Sequence, residues 1–181
     1  MTVPARLRVG IRRYRPGDAA DLAEFQHRTF GPGTRQVDRA RDAWLFDRNP
    51  CRSGGDERDV WICRRDDAVV GQQAEIPFVL RVGRDEHLAA WGIDLMVDEA
   101  WRLRGVGPAL VATQLDERPI VCGLNMSDQG FALYEGLGFT DLGVVPVYLR
   151  ALDLRRAVAL GSVPAAVHRL APVLGPALRA A

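Results

Sequence analysis

Between Val60 and Val97 the chain passes through three apolar stretches separated only by short turns. "VWICRR" (60–65) is followed by Asp66-Asp67, then by "AVVGQQAEIPFVLRV" (68–82), then by a turn over 83–86, and then by a run that ends in "WGIDLMV" (91–97). Valine, isoleucine and aromatic residues are prominent in these runs, as strands require. Turns this short join only antiparallel neighbours, because a parallel pair needs a crossover of about a dozen residues or more. The pattern predicts a three-stranded antiparallel meander, on which the rest of the chain must pack.

Upstream, Leu7, Val9 and Ile11 alternate with Arg8, Gly10 and Arg12, a period-two strand with one apolar face. "RPGD" breaks it, and Asp18 is placed to cap a helix over 19–30. After the loop "GPGT", residues 35–50 are expected to form a second helix, ended by Pro50. Downstream of the meander the reading is a helix over 108–117, a short buried strand "PIVCGL" (119–124), and a helix through "SDQGFALYEGLGF" with Ser127 as its N-cap and Gly138 as its closing glycine. A last strand is expected over 144–150. The order βααβββαβαββ predicts an α/β (α+β) domain built on a single mixed, mostly antiparallel sheet flanked by helices.

Length and composition narrow the function. A chain of 181 residues, 48% hydrophobic, forms one domain with a real core. Its 24 basic residues, all arginine, nearly cancel 23 acidic ones. No global field attracts nucleic acid or an anionic membrane, so an anion site must be local. Cys51, Cys63 and Cys122, and His27, His87 and His168, are scattered, with neither metal-ligand spacing nor a disulfide framework. No metal is expected. The N-terminus lacks a signal peptide's apolar region and no run reaches the length of a membrane span, so a cytoplasmic protein is expected.

The local anion site is "WRLRGVGPAL" (101–110), where a strand hands over to a helix. N–H groups in a helix's first turn have no intrahelical partner and share the positive end of the dipole. Gly105 and Gly107 allow close approach of a bulky anion, Pro108 suits the first turn, and Arg102 and Arg104 add charge. A phosphate or pyrophosphate fits. The stretch is not a Walker loop, having no GK[ST], and it lacks GxGxxG.

"Arg102-Leu103-Arg104-Gly105-Val106-Gly107" resembles the [QR]-x-x-G-x-[GA] signature of the GNAT (Gcn5-related N-acetyltransferase) superfamily. Leu95-Met96-Val97 closes the preceding strand as in that family, and "FALYEGLGF" (131–139) is similar to its second signature, "LYEKLGF". The resemblance spans roughly 7–150. It implies central strands that splay, and a domain over 1–150 followed by a helical tail over 151–181. It implies acetyl-CoA or another acyl-CoA as donor, with its pyrophosphate on Leu103 to Gly107. The pantetheine arm would lie along Leu95, Met96 and Val97, with Asn125 in reach of its amides. Leu103 stands where glycine is common, which is acceptable if its φ is negative. Ser127 and Gly130 stand where many members carry asparagine and alanine.

The implied activity is direct transfer of an acetyl group to a primary amine of a small molecule. Tyr134 occupies the position of the family's general acid; a packed core aromatic is the other reading of that residue. Asp94 is an acidic residue within an apolar run, a candidate base or an ion-pair partner of an arginine. Glu75 is the second candidate base. Trp44 and Trp91 are read as core residues or as lining of an acceptor pocket. "WLFDRNP" (44–50) is similar to a Trp…Asn-Pro pattern of members linked to cell-surface polysaccharide pathways, which points to an amino sugar as acceptor. A silent module that binds CoA or a protein partner is the alternative. The tail is locally basic, apolar and interrupted by Pro164, Pro172 and Pro176. It is expected to dock on the domain or on a second copy in a homodimer rather than on a membrane.

Overall fold

The computed structural model describes residues 10–52 and 58–146. The chain divides into a unit of residues 1–141 and a second of residues 142–181. The sheet and helices below belong to the first.

Five strands form one sheet in the order β1 (Ile11–Arg13), β2 (Val60–Arg65), β3 (Ala68–Val82), β4 (Asp85–Val97) and β5 (Val121–Gly123). The pairs β1–β2, β2–β3 and β3–β4 are antiparallel, so the expected meander is present with its expected limits at β2, β3 and the end of β4. Only β4–β5 is parallel, as its connection through a helix demands.

The central strands are buried on both faces, which is why they read as continuous apolar runs rather than as alternations. Val60 and Ile62 turn to one side, where they meet Leu22 and Phe25 of helix α1 (Ala19–Phe30) together with Leu45 and Phe46. Trp61 and Cys63 turn to the other, against Val106, Ala109 and Leu110 of helix α3 (Val106–Glu117). Helix α4 (Asp128–Gly136) follows β5, with the Ser127 hydroxyl accepting from the Gly130 N–H at 3.2 Å.

Several expectations need correction. Asp18 stands at the N-terminus of α1 but does not cap it; its carboxylate turns back to Arg12 at 2.6 and 2.7 Å and accepts from the Arg15 N–H. The continuous helix expected over 35–50 is broken into a 3-10 turn (Arg35–Val37), a short α2 (Arg39–Asp42) and a π turn (Ala43–Asp47). Asp38 is extended and its carboxylate accepts from the Ala40 N–H, so a fresh cap interrupts the run. The π turn lets the adjacent Leu45 and Phe46 both point inward and leaves Trp44 64% exposed. Trp44 is therefore not a core residue. Residues 144–146 carry no strand, and 147–150 lie outside the described residues, as do residues 7–9 of the first expected strand and the tail 151–181.

Candidate functional site

β5 pairs with β4 at only three positions, Ala90–Val121, Trp91–Cys122 and Gly92–Gly123. Beyond Gly92, β4 continues to Val97 while β5 has ended. The Leu95 to Val97 edge thus has no strand on the β5 side among the described residues. The pairing stops in the region where the family resemblance implies a splay. At its far end β4 passes through Asp98 and a 3-10 turn (Glu99–Trp101) into the glycine turn and α3.

That turn is built for backbone exposure. Gly105 is the N-cap of α3 at φ 84°, and the first intrahelical bond runs from the Ala109 N–H to the Gly105 carbonyl. The N–H groups of Val106 and Gly107 therefore precede any helical acceptor. A Cβ on Gly107 would meet side chains no nearer than 3.8 Å, so the backbone there is open to approach. Leu103 is a correction: its φ is +59°, not negative, with the side chain fully exposed. Leucine accepts about 1–2 kcal/mol of strain in this left-handed conformation. Arg102 leans back, its Nε donating to the Val97 carbonyl at 3.3 Å, and the Arg104 guanidinium lies 5.6 Å from the Trp101 ring centroid.

The other end of the splay holds Tyr134. Its ring packs on Phe139 with centroids 4.5 Å apart. The N–H groups of Leu137, Gly138 and Phe139 fold back onto the Leu133, Tyr134 and Glu135 carbonyls, so "YEGLGF" is one unit that seats the ring. The floor of the seat is the pair Gly92 and Gly123. A Cβ on Gly92 would lie 2.7 Å from the Tyr134 hydroxyl, and one on Gly123 would lie 3.4 Å from the ring and strike Met126. The hydroxyl thus stands at the last β4–β5 pair, where the strands part. Burial pushes the phenol pKa above its ordinary value, and the Gln73 side chain partly opposes that rise.

The two candidate carboxylates occupy different surroundings. Asp94 lies in a β-bulge of β4, where Gln73 of β3 opposes both Asp94 and Leu95. Its φ is +52° and its carbonyl accepts from the Gln72 amide at 3.1 Å. Its carboxylate pairs with Arg41 of α2 at 2.7 Å. Glu75 is wholly buried on the α3 face. One of its oxygens accepts from Arg118 at 2.6 Å and the other from Gln114 at 2.9 Å. Arg118 also meets Asp59, which pairs with Arg13, which in turn meets Glu117. Burial pushes the Glu75 pKa up, against the pull of Gln114 and Arg118.

Trp91 stacks on Phe78, with centroids 5.3 Å apart, on the sheet face opposite Gly92. Asn125 is exposed at φ +53°, and Ser127 rather than Asn125 caps α4. Sequence reasoning missed Gly92, Gly123, Gln73 and Gln114. The signals available were glycines and the pair Gln72-Gln73 inside apolar strand runs, and Gln114 within an apolar helix, which mark close approach or a buried polar need.

The structure is thus an α/β protein whose one parallel strand pair ends midway along β4, with the N-terminus of α3 beyond the end of β4 and a buried phenol at the last paired position. No family model matches the sequence, and neither does any curated protein. Solved structures do match. One is the aminoglycoside N-acetyltransferase AAC(6')-Iy in complex with a CoA-linked bisubstrate analogue, at 16% identity and a TM-score of 0.59 over 78% of this chain and 97% of that one. Another is an aminoglycoside acetyltransferase from an uncultured soil metagenomic sample, at 18% identity and 0.58 over 83% and 99%. A third is glucosamine-6-phosphate N-acetyltransferase from Arabidopsis thaliana, at 14% identity and 0.57 over 77% and 96%. The chain has the fold of the GNAT superfamily.

Proposed function

We propose that the chain is an N-acetyltransferase that moves an acetyl group from acetyl-CoA to the primary amine of a small molecule. The observation that carries this reading is the Tyr134 hydroxyl at the point where β4 and β5 part, at the end of a gap that opens toward the N-terminus of α3. The donor's pyrophosphate would be met by the N–H groups of Leu103 to Gly107 and the positive end of α3, with Arg102 and Arg104 beside them. The pantetheine arm would take the free edge of β4 at Leu95, Met96 and Val97, in the manner of an added strand. Asn125, exposed after β5, would meet an amide of that arm.

The chemistry follows from these groups. The neutral amine nitrogen attacks the thioester carbonyl carbon, and a C–N bond forms. The C–S bond breaks and its electron pair leaves on sulfur. Tyr134, kept protonated by burial, gives its proton to that sulfur. The nitrogen loses a proton to a base. Of the two carboxylates, Glu75 is sealed behind Gln114 and Arg118, so Asp94, beside the free edge of β4, is the one we assign to this step. Glu75 instead orders the polar groups behind the tyrosine.

For the acceptor, the likeness to aminoglycoside and glucosamine-6-phosphate acetyltransferases supports an amino sugar or a related small amine. The three cysteines are free, in keeping with a cytoplasmic setting. Among the described residues no helix is long and apolar enough to cross a membrane. One observation favours a silent, CoA-binding module instead: both candidate carboxylates are held in ion pairs. The two readings are separated by thiol release from acetyl-CoA in the presence of neamine, glucosamine 6-phosphate, spermidine and free amino acids. Amine-dependent release supports the enzyme; saturable CoA binding with no release across the panel supports the module.

A further inference from the structure

Behind the Tyr134 hydroxyl lie two glutamines that the reaction above does not use. Gln73 on β3 and Gln114 on α3 are both fully buried, one within a sheet and the other on a largely apolar helix face. They converge on one point. A Cβ placed on Gly92 would lie 2.7 Å from the Tyr134 hydroxyl, 3.0 Å from Gln73 Nε2 and 3.6 Å from Gln114 Oε1. Both glutamine carbonyl oxygens are buried without a hydrogen-bond partner among the described residues. Buried acceptors of this kind are uncommon and call for a reason.

The orientation of each amide is fixed by its other contacts. Gln114 Nε2 donates to Glu75 Oε2 at 2.9 Å, and Glu75 Oε1 accepts from Arg118 at 2.6 Å. An ionised carboxylate only accepts, so it holds the nitrogen of Gln114 toward itself and leaves the Gln114 oxygen facing the Gly92 point. Gln73 Nε2 uses one hydrogen on the Ala74 carbonyl at 3.0 Å, which leaves its second hydrogen for the phenolic oxygen.

We propose that Gln73 and Gln114 are a positioning pair for the Tyr134 hydroxyl. The Gln73 N–H faces the phenolic oxygen, and the Gln114 carbonyl, which makes no hydrogen bond among the described residues, presents its negative end to the same point and so favours the protonated phenol between turnovers. When a thiolate forms at the splay, the hydroxyl gives its proton to sulfur while Gln73 steadies the phenolate left behind. The Gln73 contact acts against the burial of the phenol in the required sense. This inference rests on the reading of Tyr134 as the acid.

The signs of the two effects are opposite, which makes the pair testable. Gln73 stabilises the phenolate, so its loss raises the tyrosine's titration midpoint. Gln114 stabilises the neutral phenol, so its loss lowers it. General loosening would admit water and lower both. The full chain is labelled with 3-fluorotyrosine, whose phenol titrates lower than tyrosine's, and the Tyr134 fluorine resonance is followed against pH. Its three tyrosines, Tyr14, Tyr134 and Tyr148, are assigned by a Tyr134→Phe control. The variants are Gln73→Met and Gln114→Met, with leucine in place of methionine if either fails to fold by circular dichroism. The expected result is a rise of about one pH unit for Gln73→Met and a fall of about half a unit or more for Gln114→Met. A midpoint that falls or stays put in the Gln73 variant, or that rises or stays put in the Gln114 variant, overturns the proposal. The titration needs no acceptor amine. The parent reading fails separately, if Tyr134→Phe turns over at the wild-type rate with chemistry rate-limiting.

Discussion

Replacing Gly92 by alanine puts one methyl group into the contact on which the proposed chemistry depends. The new Cβ would lie 2.7 Å from the Tyr134 hydroxyl and 3.0 Å from Gln73 Nε2, whereas ordinary contacts begin at 3.4 Å. The hydroxyl must retreat by roughly 0.7 Å, or the strand must shift by a similar amount against a close-packed sheet. A misplacement of about 1 Å in a catalytic group costs on the order of 10²-fold in rate. Gly92→Ala is therefore expected to lower kcat by about 10–10²-fold, with KM for acetyl-CoA within about threefold of wild type. Overpacking of this size costs about 1–3 kcal/mol, a fall in Tm of about 2–10 °C for a chain of this length. Gly123→Ala is the internal comparison. Its Cβ strikes the flexible end of Met126 and reaches the ring only at 3.4 Å, so its effect should be clearly smaller. Thiol release with the best acceptor of the panel, and thermal melts of both variants, make the measurement. Wild-type kcat in Gly92→Ala, with chemistry shown to be rate-limiting, would refute the placement of Tyr134 at the reacting centre.

Tyr134→Phe should keep the fold and CoA binding and slow turnover by about 10²–10⁴-fold, read by the same thiol assay. Because burial raises the Tyr134 pKa, the wild-type protein, if Tyr134 is the acid, should stay active up to the tyrosine's ordinary range and lose activity only above it, and a pH–rate profile checks this. Asp94→Asn should lower kcat by about 10²-fold, while Glu75→Gln should leave the acid limb of the pH–rate profile in place. Burial raises the Glu75 pKa, so the fold takes up this proton more readily than the unfolded chain does. Its contribution is present below the ordinary value of 4.5 and is lost as pH rises through the folded value. Melts of Glu75→Gln against pH should lack that slope. Leu103→Gly should be neutral or stabilising by up to about 1 kcal/mol in urea, because it removes a left-handed leucine whose side chain touches nothing. A loss above that amount would show the side chain to be packed.

Much of the fold was legible because its signals are local. α1 occupies Ala19–Phe30 as read, and β2 and β3 keep their expected limits, since period, composition and Asp-Asp or Gly-Arg turns lie within each segment. The stretch over 35–50 was not legible, because Asp38 is at once a helix-compatible residue and a better cap for Ala40, and only packing of Leu45 and Phe46 decides between them. Tyr134 and the glycine turn were found through two short motifs. The sign of φ at Leu103 was not, since nothing in the sequence prevents leucine from taking a strained turn. Gly92, Gly123, Gln73 and Gln114 meet only through the β4–β5 register and the placement of α3, which are non-local facts. The same holds for Asp94, whose partner Arg41 sits on a different element.

In the proposed function, acetyl-CoA lies with its pyrophosphate on the N-terminus of α3. Gly105 has φ 84°, a conformation that asparagine and aspartate accept more readily than other side chains. Gly105→Asn and Gly105→Asp therefore differ at this position chiefly by one negative charge facing the phosphate seat. Isothermal titration of acetyl-CoA into the wild type and both variants, each confirmed folded by circular dichroism, isolates that charge. Saturable one-to-one binding to the wild type is expected, with a further loss of affinity of at least about tenfold from asparagine to aspartate. Equal affinities in the two variants, or no binding to the wild type, would contradict it.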